Sequence, residues 1–546
     1  MRKTLFLTIA ILLTFALGAS AKKTNTKPVP TIVGTITDIS GKPVEGVVVS
    51  DGDEVVKTDK DGRYAIVSAK RNGWVFMSVP RGYEALSDGC FPLFWSEVGG
   101  VGVDTVNFSL KPVYNDHYVL LVVADMHLAD RYSDREQFCA LFPAAVKREI
   151  ARAGSVPVYT YNLGDSSFDM FWYTDEYTIE SFKHTMKVLK YPSQMYSCVG
   201  NHDNDGAVQC GDSTDFASAR RYVKTMGPNY YSFNIGKAHY ISIDHVIYLN
   251  EPGGKKFKGI KGARNYIKRV TADQLEWIKK DLATLSDKDA PVFVGMHCPA
   301  YHYSGETVQV ISWFSEPEYS KELADCFEGF NNVHFLTGHT HQNYTTYVSP
   351  TLTEHNTVSL GGCWWETGHH GGQLISPNGG PAGYNVFNVY GNDMDWEMRA
   401  LEEDVTLSFR ACDMNVVKEV YKSNDAWQKL VEKYPARGEI LDIPDNMVYI
   451  NVFDWAPDWK ITVTENGKEL PVVHERVEDP MRTLADQLPK ITDKVPEKVA
   501  STRLNHMFTV QASEAESTLI ITVTDRFGRT HTETMVRPKA FHVFMH

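Results

Sequence analysis

The sequence predicts an α/β fold for the central part of the chain, with β-rich regions on both sides of it. Between residues 117 and 345, apolar runs of strand length alternate with helical patterns, which is typical of mixed α/β folds. Before this part, short strand patterns are separated by turn sequences, and after it strand-like segments continue to Val543. At 546 residues, the chain is long enough for about three domains.

Residues 1–21 have the pattern of a secretory signal peptide. Arg2 and Lys3 form a basic start, residues 4–17 form an apolar core, and Ala-Ser-Ala at 19–21 provides a cleavage site with small residues. The core is shorter than the roughly 20 apolar residues that a membrane span requires. We therefore expect an exported protein, periplasmic or extracellular, without a transmembrane anchor.

Residues 22–113 are predicted to form an N-terminal β-sandwich. A linker rich in Lys, Thr and Pro covers residues 22–30, and short apolar strands such as residues 47–49 follow it. Turns such as Asp51-Gly52 separate these strands. Short strands at regular intervals with Asp-Gly turns favour two packed sheets.

Two helices are predicted between the strands of the central region. The pattern over residues 134–152 is helical, with an interruption at Pro143, which lacks the backbone N–H that a helix interior needs. Thr271 and Gln274 form a capping box directly before the apolar Leu275, so a second helix is predicted to begin there.

Eight polar side chains lie in five segments of this region, and most of these segments directly follow an apolar strand pattern. In open α/β sheets, ligand sites form outside the carboxyl ends of the strands. We therefore expect the five segments to converge, although they are far apart in sequence. The residues are Asp125, His127, Asp165, Asn201, His202, His297, His339 and His341.

The types and the spacing of these side chains indicate a metal site. Asp125 with His127, and His339 with His341, are two residues apart, and in extended backbone such pairs point to the same side. Carboxylate, imidazole and amide groups together suit borderline ions such as Zn, Mn or Fe. Glycines precede several of these residues and permit close approach of the backbone. The inventory is that of a hydrolase with two metal ions.

The order of the motifs, D-x-H, G-D, G-N-H-D, a single His and G-H-x-H, resembles the calcineurin-like metallophosphoesterase superfamily. The resemblance implies a catalytic domain over residues 114–370, built as a two-sheet sandwich flanked by helices. It also implies two metal ions with Asp165 shared between them. The first ion would be bound by Asp125, His127, Asp165 and His341, and the second by Asp165, Asn201, His297 and His339.

Phe168 distinguishes the chain from purple acid phosphatases, which place a tyrosine at this position to bind ferric iron. The two ions, divalent or trivalent, are therefore expected to be Mn, Fe or Zn. The expected mechanism is in-line attack on phosphorus by a hydroxide that bridges the two metals. His202 would protonate the leaving oxygen or stabilise charge there, and Asn201 would help to stabilise charge on the phosphoryl oxygens. Asp169 and Asp203 are the two candidates to orient His202, and turn or capping chemistry is the alternative for both.

The C-terminal region is predicted to be a mainly β accessory domain over residues 371–546. It resembles the C-terminal domain of a secreted bacterial subset of the superfamily, in which a prealbumin-like sandwich precedes the catalytic domain. A loop over residues 361–372 either overhangs the metals and shapes the choice of substrate, or packs at a seam between domains. Its aromatic and imidazole residues are Trp364, Trp365, His369 and His370.

The charge of the chain bears on its partners. It has 55 Lys and Arg against 68 Asp and Glu, and a formal net charge of −13. This acidity argues against non-specific nucleic-acid binding, which depends on the neutralisation of phosphates, and it permits a small phosphorylated substrate. The lysines of a Gly/Lys-rich loop over residues 250–265 either attract an anionic substrate or are simply solvated. The eight cysteines leave the disulfide pairing open, including a bridge between Cys198 and Cys210.

Together these features predict an exported phosphoester hydrolase with two metal ions. Diesters are the preferred substrate class, because the combination of G-N-H-D with G-H-T-H resembles members that cleave diesters. One alternative is a phosphomonoesterase or nucleotidase of the same superfamily. Another is a surface protein that binds a glycan or a partner and carries a vestigial catalytic domain, and the complete ligand set argues against it.

Overall fold

The computed structural model of the protein describes residues 29–252, 264–304, 308–402, 408–499 and 505–544. The predicted signal peptide and nearly all of the predicted linker lie outside the described residues. Four lysines of the Gly/Lys-rich loop, Lys255, Lys256, Lys258 and Lys261, also lie outside them, so their two predicted roles fall outside the described residues. None of the helices in the described ranges combines the length and the apolar character that a membrane crossing requires.

The N-terminal region folds into two packed β-sheets, as predicted. Its strands are β1 (Ile32–Asp38), β2 (Val48–Ser50), β3 (Val55–Lys57), β4 (Arg63–Ile66), β5 (Trp74–Ser78), β6 (Tyr83–Ala85), β7 (Ser87–Asp88), β8 (Phe91–Pro92), β9 (Trp95–Glu97), β10 (Asp104–Thr105) and β11 (Phe108–Pro112). One sheet has the order β10-β1-β11-β6, with β4 also paired to β1, and the other has the order β3-β2-β5-β9. Alternate residues of β1 are buried, so one face of the sheet meets the core.

The core of this sandwich continues into the central region. The Phe76 ring on β5 lies 6.3 Å from the ring of Tyr231 and 6.1 Å from that of Trp277, both beyond the sandwich. The indole of Trp277 also donates a hydrogen bond of 3.1 Å to the hydroxyl of Ser50. Edge-to-face aromatic pairs of this kind stabilise a packed interface beyond the area that they bury. The sandwich is therefore firmly attached to the central region.

Two large sheets and two small two-stranded sheets form the α/β region. Its strands are β12 (His117–Val123), β13 (Val158–Asn162), β14 (Gln194–Ser197), β15 (Tyr231–Ile235), β16 (Ala238–Ser242), β17 (Val246–Tyr248), β18 (Tyr266–Lys268), β19 (Val292–Gly295), β20 (Tyr301–Tyr303), β21 (Val310–Ser312), β22 (Val333–Thr337), β23 (Tyr344–Ser349), β24 (Leu352–Asn356), β25 (Gly383–Tyr390) and β26 (Asp393–Ala400). The first sheet has the order β14-β13-β12-β25-β26, the second has the order β15-β16-β19-β22-β24-β23, and the two small sheets are β17-β18 and β20-β21. The predicted two-sheet sandwich is thus confirmed.

The first sheet includes strands from beyond residue 370, where the sequence predicted the catalytic domain to end. β25 pairs antiparallel with β12 from His117–Tyr390 to Val122–Asn385, and β26 pairs with β25. β12 is the strand that leads to Asp125, so β25 supports one side of a strand that carries predicted ligands. We propose that the catalytic domain ends after Ala400, because its first sheet is incomplete without these two strands.

Helices cover the sheets of the central region. They are α1 (Asp134–Ala153), α2 (Ile179–Val188), α3 (Thr214–Met226), α4 (Ala272–Leu282), α5 (Pro317–Asp325) and α6 (Glu366–His369). The predicted interruption at Pro143 is wrong, since α1 runs through it. The buried face of α1 includes Phe138 and Phe142, and this packing outweighs the missing hydrogen bond. The predicted cap of α4 is confirmed, because the Thr271 side chain accepts a hydrogen bond from the backbone N–H of Gln274.

The C-terminal region is mainly β, as predicted, with two helices beside its sheets. Its elements are β27 (Phe409–Asp413), α7 (Met414–Lys422), α8 (Asp425–Lys433), β28 (Met447–Val452), β29 (Lys460–Glu465), β30 (Lys468–Leu470), β31 (Val473–His474), β32 (Met507–Gln511), β33 (Leu519–Thr524) and β34 (Thr530–Met535). The sheets have the orders β27-β28-β32-β31 and β30-β29-β33-β34. Asp413 and Asn424 cap α7 and α8 through their side chains.

All eight cysteines lie in the described residues, and all are free thiols. The bridge considered between Cys198 and Cys210 is not formed. Cys198 is fully buried and its thiol lies 3.4 Å from the hydroxyl of Tyr161, whereas Cys210 is exposed. Burial raises the pKa of Cys198 to about 12, so this thiol behaves as a small hydrophobic side chain.

Candidate metal centre

Five loops meet at one edge of the two sheets of the central region. Three of them follow the parallel strands β12, β13 and β14 of the first sheet, and two follow the parallel strands β19 and β22 of the second. The carboxyl ends of parallel strands lie at the same edge, so loops distant in sequence become neighbours. All the predicted ligands lie on these loops.

The backbone is left-handed at five of the predicted ligands. The prediction of extended backbone for the two i, i+2 pairs is therefore wrong. The φ angles are 56° at Asp125, 47° at His127, 67° at His339 and 59° at His341, and φ is 54° at Asp165. Residues other than glycine adopt a left-handed backbone conformation at a cost of roughly 1–2 kcal/mol each. The pairs still converge, but through tight left-handed turns. Such backbone strain is concentrated at functional sites, where the surrounding structure maintains it.

The first half of the centre contains Asp125, His127 and His341. The Nε2 atoms of the two histidines lie 2.9 Å apart. The distance to Oδ1 of Asp125 is 3.5 Å from Nε2 of His127 and 3.4 Å from that of His341. All three side chains are buried. Three potential ligand atoms therefore surround one point inside the protein.

The second half contains Asp165, His297 and His339. Nε2 of His297 lies 3.0 Å from Oδ2 of Asp165 and 3.2 Å from Nδ1 of His339. The same carboxylate oxygen of Asp165 lies 3.7 Å from Nε2 of His127 in the first half. Asp165 thus stands between the two halves, where a bridging ligand would stand.

Two buried polar atoms lack partners in a way that fits a cation. Oδ1 of Asp125 and Oδ1 of Asn201 are buried, and neither accepts a hydrogen bond. An unpaired buried oxygen of this kind costs about 1–3 kcal/mol, or more when it is charged. One metal ion at each half of the centre would satisfy these atoms, and the donor set of carboxylate, imidazole and amide oxygen suits Mn, Fe or Zn. The residues present therefore fit two metal ions.

The imidazoles are held by hydrogen bonds on their other sides. Nδ1 of His297 donates to the carbonyl of Leu163 at 2.9 Å, and Nδ1 of His341 donates to the carbonyl of Gly362 at 3.0 Å. These bonds fix the tautomer, so that Nε2 carries the free electron pair toward the centre. The arrangement is typical of histidines that bind metals.

The carboxylates of the centre remain ionised although they are buried. Burial favours the neutral acid, but the imidazoles of His341 and His127 hold the pKa of Asp125 well below its usual range. The pKa of Asp165 is also lowered, because His297 outweighs the effect of burial. Burial by itself would lower the pKa of His297, but the charge of Asp165 raises it to about 9. Without a cation the carboxylates thus stay ionised beside a protonated His297, and a bound metal ion would displace that proton and take up the free Nε2.

Two glycines make the close packing of the centre possible. A Cβ atom at Gly200 would lie 2.2 Å from the backbone nitrogen and from Oδ1 of Asp165. A Cβ atom at Gly338 would lie 2.7 Å from Oδ2 of Asp125. Any side chain at either position would displace a predicted ligand, which explains why glycines precede Asn201 and His339.

His202 lies beside the cluster and is oriented by Asp169. Its Nδ1 lies 2.6 Å from Oδ1 of Asp169. Asp203 instead accepts backbone N–H bonds from Ser166, Ser167 and Gly200, a turn-bracing role. The structure therefore decides between the two candidate aspartates that the sequence left open.

Arg264 and Trp313 were missed by sequence reasoning. Nε of Arg264 donates to Oδ2 of Asp169 at 2.8 Å, and the Trp313 ring lies 5.4 Å from that of His339. Neither residue belongs to a motif. Arg264 lies near the end of the Gly/Lys-rich loop over residues 250–265, of which only the lysines were considered. Nothing in the sequence connects Arg264 with His202.

The loop over residues 361–372 contributes one tryptophan to each of its two predicted roles, at the metal centre and at a packed seam. The half-buried ring of Trp364 lies 4.5 Å from that of His341, so this residue borders the metal centre. Trp365 is fully buried, and its indole donates to the carbonyl of Met126 at 2.7 Å, so it packs the seam. His369 and His370 are exposed, with their rings edge to face 5.6 Å apart, and neither belongs to the cluster of candidate ligands.

Comparison with solved structures found weak likenesses. A dimetal phosphatase from Danio rerio is 13% identical with a TM-score of 0.35, over 53% of this chain and 98% of that one. GAP50, the anchor in the inner membrane complex of Plasmodium, is 10% identical with a TM-score of 0.32, over 53% and 87%. A 5′-nucleotidase from Candida albicans is 10% identical with a TM-score of 0.31, over 76% and 91%. No curated protein matches the chain significantly.

Protein-family models match most of the chain. The model for calcineurin-like phosphoesterase matches residues 118–343. The model for the N terminal of calcineurin-like phosphoesterase matches residues 30–113, and that for the C terminal matches residues 354–531. The first match contains all five ligand loops. The chain therefore belongs to the calcineurin-like phosphoesterases and is a metal-dependent phosphoester hydrolase.

Proposed function

We propose that this protein is an exported phosphodiesterase with two metal ions. One observation carries the proposal: separate loops bring two ionised carboxylates and four imidazoles into one largely buried cluster. On a neighbouring loop, the buried amide oxygen of Asn201 has no hydrogen-bond partner. The export part rests on the signal-peptide pattern of residues 1–21. The first ion would be held by Asp125, His127, Asp165 and His341, and the second by Asp165, Asn201, His297 and His339.

When bound, two such ions would activate a water molecule and neutralise charge on the phosphoryl group. The side chains of the protein supply the remaining functions. His202 is placed to donate a proton or a hydrogen bond from Nε2 to the leaving oxygen, because its Nδ1 is occupied by Asp169. Burial raises the pKa of Asp169 to about 7 in spite of Arg264, whereas burial and the charge of Arg264 lower the pKa of His202 well below its usual range. A proton held by the Asp169–His202 pair near neutral pH therefore lies on Asp169, and the neutral His202 ring carries its own hydrogen on Nε2. The amide of Asn201 would help to orient the phosphoryl group.

Aromatic rings on both halves of the centre support the preference for diesters. Trp364 borders the first half beside His341, and Trp313 borders the second half beside His339. A diester carries a substituent on each side of phosphorus, and each tryptophan offers an apolar surface to one of them. The alternative is a phosphomonoesterase or nucleotidase, in which only one side of phosphorus carries a substituent.

Hydrolysis of two chromogenic esters would test the proposed function. Protein treated with chelator and then loaded with Mn²⁺ is expected to cleave bis(4-nitrophenyl) phosphate faster than 4-nitrophenyl phosphate. The control is protein that has been treated with chelator and not reloaded with metal, and it should be inactive. A clear preference for the monoester would contradict the diester proposal. Absence of metal-dependent turnover with either ester would contradict the proposed hydrolysis.

Replacement of Trp364 by alanine is expected to weaken substrate binding. The ring is half-buried beside His341, and its loss removes an apolar surface of the size that contributes about 1–3 kcal/mol to ligand contacts. We expect KM for the diester to rise about tenfold while the metal content is unchanged, measured by steady-state kinetics and metal analysis. Trp459 is also partly buried but packs against the core of the C-terminal region, and its alanine variant serves as the control. Unchanged KM in Trp364→Ala would argue against a role in substrate binding.

A further inference from the structure

We propose that Arg264 is a positioning residue that fixes the Asp169–His202 pair for departure of the leaving group. The inference rests on the proposed function. It concerns a residue outside every sequence motif, on the segment that leads into β18. The argument depends on three side chains and the directions in which their polar groups point.

Asp169 connects the other two side chains through its two carboxylate oxygens. Oδ1 lies 2.6 Å from Nδ1 of His202, and Oδ2 accepts from Nε of Arg264 at 2.8 Å. The Asp169 side chain is 1% exposed and that of Arg264 is 9% exposed. Loss of one partner from a buried ion pair leaves an uncompensated charge, so the two side chains depend on each other for their positions.

The guanidinium also covers one face of the His202 ring. Nη2 of Arg264 lies 2.7 Å from Nδ1 and 3.2 Å from Nε2 of His202. In the plane of the ring, the hydrogen-bonding direction of Nδ1 points away from Nε2. A donor in that direction would therefore lie much farther from Nε2 than from Nδ1. Arg264 therefore lies over the ring face, and the in-plane bond of Nδ1 belongs to Asp169.

A third contact restricts the ring further. The Phe168 ring lies 4.5 Å from the His202 ring at an interplanar angle of 85°. The carboxylate in the ring plane, the guanidinium over the face and the edge-on phenyl ring together leave the imidazole little freedom to rotate. A ring nitrogen of His202 lies within 4.8 Å of ligand atoms on His127 and Asp165. The pair is thus fixed toward the place where the leaving oxygen would appear.

The geometry explains why an arginine is required. A planar guanidinium can bind a carboxylate with Nε and stack on an imidazole with Nη2 at the same time, whereas the ammonium of lysine is a single point charge. Arg264→Lys should therefore keep the charge and lose the orientation. Arg264 also has a left-handed φ of 49°, so its backbone accepts strain to place the side chain.

Kinetics on a series of methyl aryl phosphates would test the proposal. We expect Arg264→Ala to lower kcat by about a hundredfold for esters with poor leaving groups, since small misplacements of a catalytic group have effects of this size. The effect should be much smaller for 4-nitrophenolate, which leaves without assistance. KM and metal content should change little, and added guanidinium should restore part of kcat. Arg264→Lys should resemble Arg264→Ala.

The matched control is Arg269→Ala, because Arg269 directly follows β18 and stacks on Tyr319, 4.5 Å from its ring centroid. This variant should behave like the wild type. An Arg264→Ala variant with unchanged kcat for the poorest leaving groups would overturn the proposal. So would an equal loss across the whole series that guanidinium does not rescue.

A spectroscopic measurement separates this proposal from the proposed function. The short bond between His202 and Asp169 should give a downfield proton resonance, assigned by its loss in His202→Ala. We expect the resonance in the wild type and in Arg269→Ala, and its loss or upfield shift in Arg264→Ala. An unchanged resonance in Arg264→Ala would overturn the positioning role. If the resonance behaves as expected but no phosphoester is cleaved, the proposed function fails and the positioning role stands.

Discussion

Replacement of Asp165 by asparagine is expected to remove metal binding and hydrolysis together. Oδ2 of Asp165 lies 3.0 Å from Nε2 of His297 and 3.7 Å from Nε2 of His127, so one carboxylate serves both halves of the centre. Asparagine has nearly the same shape, but it has no charge with which to bridge two cations. Because metal ions contribute several kcal/mol to the stabilisation of such transition states, we expect activity to fall by at least about a thousandfold.

Metal analysis and diester kinetics on the purified variant would measure this effect. Asp281→Asn is a matched control, since Asp281 is equally buried and bonds to His239 and Ser232, away from the centre. The control should keep its metal and its activity, apart from any loss of thermal stability. Full activity or full metal content in Asp165→Asn would refute the assignment of Asp165 as the bridging ligand.

Replacement of His202 by alanine is expected to lower kcat strongly while the metals remain bound. Nδ1 of His202 is bonded to Asp169, and its ring lies 4.9 Å from that of His127, beside the ligands. Because a positioned general acid contributes typically about 10²–10⁴-fold, we expect a loss in this range for poor leaving groups. The loss should be small for 4-nitrophenolate, which needs no proton to depart.

The molecule contains a matched control for His202. His239 is a buried histidine whose Nε2 lies 2.8 Å from Oδ2 of Asp281, and it lies outside the metal centre. His239→Ala should lower stability without a dependence on the leaving group. If His202→Ala loses its metal, or if its kcat falls equally for good and poor leaving groups, then His202 is not the acid.

The sequence predicted the fold of the central region well, because the relevant patterns are local. Buried parallel strands appear as continuous apolar runs, and the capping box at Thr271 marks the start of α4. An error occurred where packing opposed a local rule, because α1 continues through Pro143 with its buried face packed in the core. The pairing of β25 and β26 with the first sheet was not predicted, since strand pairing depends on contacts distant in sequence.

The sequence alone determined which side chains could bind metal, since ligand chemistry depends on residue type and the motifs place these residues after strands. The tertiary structure decided how they meet. It placed Asp165 between the two halves, put the pairs of predicted ligands in left-handed turns, and selected Asp169 over Asp203 as the partner of His202. It also brought Arg264 to this pair from 62 residues away. Such contacts arise when segments remote in sequence pack together, and neither composition nor spacing encodes them.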